Sequence, residues 1–211
     1  MKCKLPEREM TAEQRKQLDK RCIRENDKIL HYADQLLCLS IRENLGFGRE
    51  RIDRYNNGAY ELGRWYIDRY TAESEAKEDY AVTSYYALAM ELTNAGWDPE
   101  EHLWKDTVFA SFPPDRNSAQ MRIDHARRLV YAKGISFYVR EMICITADYL
   151  HREFKCGAIR LDRVAQPVVE GYLDLMRCYM RCTKEGDVAM AEKIEAVKKR
   201  YNNMKMFRED R

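Results

Sequence analysis

The stretch Ile41–Tyr55 reads "IRENLGFGRERIDRY", and the reading of its two glycines decides the fold. Glycine enters left-handed conformations without a Cβ penalty, so Gly46 and Gly48 close one helix and release the next. Upstream, a helix is expected from Thr11 to about Asn44. Thr11 caps it, and Gln14 reaches back as in a capping box. Its first half is polar almost all round, while Ile29, Leu30, Leu36, Leu37, Leu39 and Ile41 make the second half apolar. Residues 1–28 therefore read as a polar arm, either lying against a partner or frayed.

Downstream, a short helix of about eight residues is expected to end at "NNG", Asn56–Gly58. Two more helical stretches follow, up to the stop at Asn94–Gly96. Asp98 then caps a new helix with Pro99 in its first turn and Glu101 completing the box. "SFPPD", Ser111–Asp115, is the clearest linker. A long helix over about 118–155 has Gly134 as its weak point. The last two cover about 158–183 and 187–207, with Gly186 as stop and Asp187 as cap. With 9 Gly and 5 Pro, and few alternating stretches, the chain reads as one all-α domain of about eight helices.

The opening stretch has an echo. Shifted by 109 residues it lies over "LHREFKCGAIRLDRV", so that Gly48 meets Gly157, Arg51 meets Arg160, Asp53 meets Asp162 and Arg54 meets Arg163. Each copy follows an apolar helix and precedes a breaker, Gly58 or Pro167. Such self-similarity marks repeated units, here two degenerate copies of a helix-turn-helix-like unit in halves 1–96 and 97–211.

The turn is not a phosphate loop. Arg51 stands where a third glycine would fall, a helix rather than a strand precedes it, and the Gly-Lys-Ser/Thr ending is missing. As a helix-turn-helix it would turn Ile41, Leu45, Phe47, Ile52 and Tyr55 inward, and Leu150, Phe154, Cys156, Leu161 and Val164 in the second copy. Arg49, Arg51, Arg54, Arg160 and Arg163 would then face outward, suited to phosphates and to guanine edges. Arg42 and His151 occupy places where a small residue usually lets the helices approach, and Glu50, Asp53 and Asp162 would flank the polyanion. The alternative is an αα-corner whose Arg and Asp residues pair within their own helix.

The net charge of +2 does not advertise nucleic-acid binding, yet its distribution is uneven. Glu73–Glu101 holds eight acidic residues against Lys77, and Lys193–Arg211 holds seven basic against three acidic. The acidic run, with Glu75, Glu78 and Asp79, is a candidate contact for a basic partner groove. The tyrosines of "RWYIDRY" and "SYYALAM" are read as core, with base stacking or an interface anchor as the functional reading. Seven cysteines, an odd number with no CxxC pair, and a start without an apolar signal segment point to reduced thiols in the cytoplasm. No run approaches a membrane span.

Enzyme signatures are missing: there is no GxSxG, HExxH, kinase set or zinc-spaced cysteine pair. No catalytic residue, metal ligand or cofactor is assigned. The tightest candidate for a metal is Cys144, Asp148 and His151, at i, i+4 and i+7 of one helix. Cys178 and Cys182 fall on successive helical turns and read as core thiols. The stretch "LLCLSIRENLGFGRERIDRY", through Leu45, Gly46, Phe47, Gly48, Arg49, Arg51 and Ile52, resembles small helical proteins of Firmicutes phages and related mobile elements. In these an apolar helix runs into a Phe-Gly-Phe-Gly turn and a basic segment, and Leu45 stands here for the usual first Phe. The resemblance implies a mobile-element origin. Phage accessory proteins of this size are often regulators or inhibitors of host defence such as anti-CRISPR proteins. The expectation is a non-enzymatic protein in the host bacterium's cytoplasm. It would bind a host protein or nucleoprotein complex, a nuclease above all, or else act as a DNA-binding regulator with paired turn-helix units.

Overall fold

The computed structural model describes residues 11–74, 80–116 and 118–206. Among them the chain is all-α: α1 Ala12–Leu45, α2 Arg49–Ser74, α3 Tyr80–Asn94, α4 Pro99–His102, α5 Ala119–Phe154, α6 Ala158–Met180 and α7 Lys184–Met206, with a 3-10 helix at Asp106–Ser111 before α5. None of these helices is long and apolar enough to cross a membrane.

The glycine turn behaves as an end of helix. Gly46 has φ +65°, and its N–H bonds back to the carbonyl of Arg42. The second turn repeats this with Lys155, at φ 53°, in the place of Gly46. After each turn the new helix opens with the same bond, Ile52 N–H to Gly48 O in α2 and Leu161 N–H to Gly157 O in α6, both 3.1 Å. Lys155 carries the strain of a left-handed residue with a Cβ, which Gly46 avoids.

Several expected breaks are absent. α2 runs through Asn56–Gly58 as one helix of 26 residues. Gly58 is there for room: a Cβ on it would lie 2.1 Å from the hydroxyl of Tyr149. Pro167 lies inside α6, and Gly134 inside α5 with nothing close by. α7 begins before Gly186, and Thr183 rather than Asp187 caps it, its hydroxyl accepting from Gly186 N–H at 3.1 Å. Asp98 does cap α4 through Glu100 N–H, but that helix lasts only one turn before the 3-10 segment. Cys182 lies beyond α6 at φ 59°, so Cys178 and Cys182 are not on successive turns of one helix.

The polar start of α1 is neither free nor frayed from Asp19 onward. Arg127 of α5 grips Asp19 with two bonds of 2.7 and 2.8 Å, and Arg21 bridges Glu25 and Asp187. Below them Arg128 is almost wholly buried, donating to Tyr179 O and to Asp187 and lying over the Tyr179 ring. Long-range ion pairs thus dock a helix segment that has little apolar face of its own.

The helices pack reciprocally. α1 lies along α6 and α7, while α5 lies along α2 and α3; α2 contacts α3, and α6 contacts α7. Residues 109 apart, or one residue off that register, make the exchanged contacts. Leu36 of α1 closes on Gly171 of α6, and Ile145 of α5 closes on Gly63 of α2. Ser40 donates to the Val164 carbonyl at 2.8 Å, and its counterpart Tyr149 donates to the Arg54 carbonyl at 3.0 Å. Glu43 pairs with Arg200, and the counterparts Arg152 and Glu91 pair with the charges exchanged. Contacts in which i meets j′ and i′ meets j are those of a two-fold arrangement.

Candidate nucleic-acid interface

Both corners lie at one end of the molecule, because the rings of Phe47 and Phe154 meet there with centroids 4.6 Å apart. The apolar sides of the corners are turned inward: Ile41, Phe47, Ile52 and Tyr55 are buried, as are Leu150, Cys156, Leu161 and Val164, with Leu45 and Phe154 half-buried. Helical periodicity after each turn then leaves Arg49, Arg51, Arg54, Arg160 and Arg163 exposed. Arg54 reaches across the junction to lie over the Phe154 ring at 4.4 Å, while Arg51 lies over Phe47 of its own corner at 5.6 Å.

Part of this charge is balanced locally. Arg49 faces Asp53 at 3.6 Å, and His102 of α4 reaches Asp162 at 2.8 Å. Arg42 donates to the Met204 carbonyl at 3.1 Å, and His151 Nδ1 lies 3.0 Å from the Cys156 carbonyl. These two bulky residues are therefore used by the packing. α2 packs chiefly on α5 and α3 and only slightly on its own first helix α1, whereas α6 packs on its own first helix α5.

Glu75, Glu78 and Asp79 lie outside the described residues. Elsewhere in the acidic stretch Glu91 pairs with Arg152 and accepts from Tyr66 at 2.8 Å, and Glu100 accepts from Tyr85 at 3.3 Å. Cys144, Asp148 and His151 do not converge on a metal. Asp148 is held by Arg152 at 2.7 Å and Tyr66 at 3.1 Å, His151 turns to Cys156, and burial pushes the Cys144 thiol far up. No His/Cys/Asp/Glu group able to hold a metal occurs among the described residues. The six described cysteines form no disulfide, and burial raises Cys182 to about 11.

Two features had no signal in the sequence. One is the buried Arg128 network, whose acids come from α1 and α7 and so from remote segments. The other is a cavity of about 430 Å³ between α2 and α5. Tyr55 and Thr146 lie among its lining residues, their hydroxyls 2.9 Å apart, and burial above all, with Asp34 adding to it, raises the Tyr55 phenol. Compared with known proteins, the chain matches no family model, no curated protein and no solved structure.

Proposed function

We propose that this is a non-enzymatic binding protein that grips nucleic acid with the paired arginine corners. In a mobile-element setting its target is the nucleic acid carried by a host defence complex, whose nuclease it blocks in the manner of an anti-CRISPR protein. The observation that supports this is the Phe47–Phe154 junction, which gathers at one end two helices that each begin with exposed arginines. Arg51 and Arg54 have Arg160 and Arg163 as counterparts 109 residues on, so the basic groups come in matched pairs. Paired cations at one end suit two runs of phosphate, where contacts position without reading sequence. The lengthwise packing of α2 on α5 favours backbone contact over insertion of a recognition helix into the major groove.

Fluorescence anisotropy with labelled duplex and single-stranded oligonucleotides, at about 50 and 200 mM salt, tests the reading, because each phosphate contact releases counterions. Micromolar binding that falls steeply with salt, and is lost when Arg51, Arg54, Arg160 and Arg163 become Ala, is the expected result. Tight, sequence-selective binding to naked duplex would make the protein a DNA-binding regulator instead. No binding at the lower salt retires the arginine corners and leaves the stretch around Glu75, Glu78 and Asp79 as the surface for a protein partner.

A further inference from the structure

The cavity between α2 and α5 has a counterpart that shows what the fold ordinarily places there. By the two-fold relation, the seam between α2 and α5 corresponds to the seam between α6 and α1. Positions 109 apart can be compared directly. Tyr60, Ile67 and Tyr138 line the cavity and stand exposed, whereas their counterparts Val169, Met176 and Ile29 are buried core. Thr146 and Met142 correspond to Leu37 and Ala33, both buried without remainder in the closed seam. The position 109 residues on from Gly63 is Tyr172, a buried ring that stacks on Trp104 at 4.6 Å.

One arrangement of helices thus has one seam packed and one held open. The open one is not simply under-packed, because its wall contains four tyrosines, Tyr55, Tyr60, Tyr138 and Tyr201. Its ionisable residues besides tyrosine are Asp34, Glu141 and Arg64, two acids against one base; Asp34 and Arg64 are exposed and Glu141 is half-buried. Tyrosine faces and carboxylates both attract positive charge, and an aromatic cage is how proteins hold alkylated ammonium groups. The volume is within the range of small-molecule sites.

We propose that the α2–α5 cavity binds a small organic cation with an apolar body, its ammonium group held by Tyr60 and Tyr138 with Glu141 and Asp34 supplying the counter-charge. The site is separate from the arginine corners and does not rest on nucleic-acid binding. Benzyltrimethylammonium serves as the probe and 3-phenylpropan-1-ol as its uncharged comparison, each titrated into the full chain with the methyl groups of Ile145 and Met142 followed by NMR. The cation is expected to shift both methyls saturably and to bind about threefold tighter than the alcohol, the worth of a cation–π contact at an exposed site. Tyr138→Ala should weaken the cation by a similar factor and leave the alcohol unchanged, and Ala59→Phe, which fills the cavity, should abolish both. Equal binding of the two probes, no saturable shift on the folded wild-type protein, or shifts that survive Ala59→Phe would each overturn the proposal.

Discussion

The two long seams of this molecule, α1 on α6 and α5 on α2, are built from matched helices joined by matched turns, and they have opposite fillings. In the closed seam Leu36 abuts Gly171, Tyr32 donates to the Gly171 carbonyl at 3.2 Å, and Tyr172 is sealed beneath Trp104 and Phe109. In the open seam Ile145 makes the corresponding approach to Gly63, but Tyr60, Ile67 and Tyr138 remain in solvent. The chain connecting the halves explains part of the difference. It runs once, from α4 through the 3-10 helix, and covers α6 and α5; among the described residues no second connection covers α2. A pair of seams related by a two-fold is thereby made unequal by a connection that follows no symmetry. One seam is closed along its length, and the other leaves Tyr60, Ile67 and Tyr138 exposed.

The largest effect expected from this contrast is on packing. Tyr172→Ala removes a fully buried ring and should cost about 3–5 kcal/mol in urea unfolding, the range for large aromatic truncations. Tyr138→Ala, on the open side, should stay within about 0.5 kcal/mol, as exposed substitutions do. Comparable losses for the two would mean that the open seam carries as much of the fold as the closed one, and the contrast would be gone.

A second, smaller effect appears with pH. Burial pushes the Tyr32 phenol up to about 12, against about 10 for an unfolded chain. A group that holds its proton more tightly when folded contributes stability that is fully present below the unfolded value and is lost as pH rises towards the folded one. Tyr32 alone should therefore remove roughly 1.4 kcal/mol per pH unit between about pH 10 and 12. Tyr55, Tyr66, Tyr85 and Tyr179 are raised in the same direction, each first of all by burial, so the wild-type slope is steeper still. Urea midpoints followed from pH 9 to 12 should fall less steeply in Tyr32→Phe than in the wild-type protein; identical slopes would show that the closed seam opens to solvent before Tyr32 titrates.

How far the sequence anticipates this structure differs from level to level. The helical class and both corners are legible, because a left-handed residue between two periodic apolar runs is a local event, and Gly46 announces it. The second corner is legible only through its echo, since Lys155 adopts the same conformation without being a glycine. Gly58 misleads: it reads as a stop, yet it serves the Tyr149 ring from a helix 91 residues away in the Tyr149–Gly58 numbering. The polar opening of α1 misleads in the same way, because Arg127, Arg128 and Asp187 reach it only in three dimensions. The arginine pairs at the corners come from periodicity and were legible; the open seam was not, since nothing local distinguishes an exposed tyrosine that lines a cavity from one in the core.

The smallest expected effect concerns the two reversed ion pairs, and it asks whether equivalent contacts have equal worth. Glu43 and Arg200 meet at 2.7 Å on the surface, each about half exposed, and such a pair is worth about 0–1 kcal/mol. Arg152 and Glu91 are similarly exposed, but Arg152 also satisfies Asp148, whose side chain is only 5% exposed. Truncating Arg152 leaves that carboxylate with only Tyr66, whose single hydroxyl proton is shared with Glu91, so Arg152→Ala should cost roughly 1–3 kcal/mol, the price of an under-satisfied buried acceptor. Glu43→Ala should cost under about 0.5 kcal/mol, and the Arg152→Ala loss should shrink when Asp148→Asn is made first. If Asp148→Asn leaves it undiminished, the difference lies in the Glu91 pair itself, and the two halves would be unequal in their surface charge as well as in their seams.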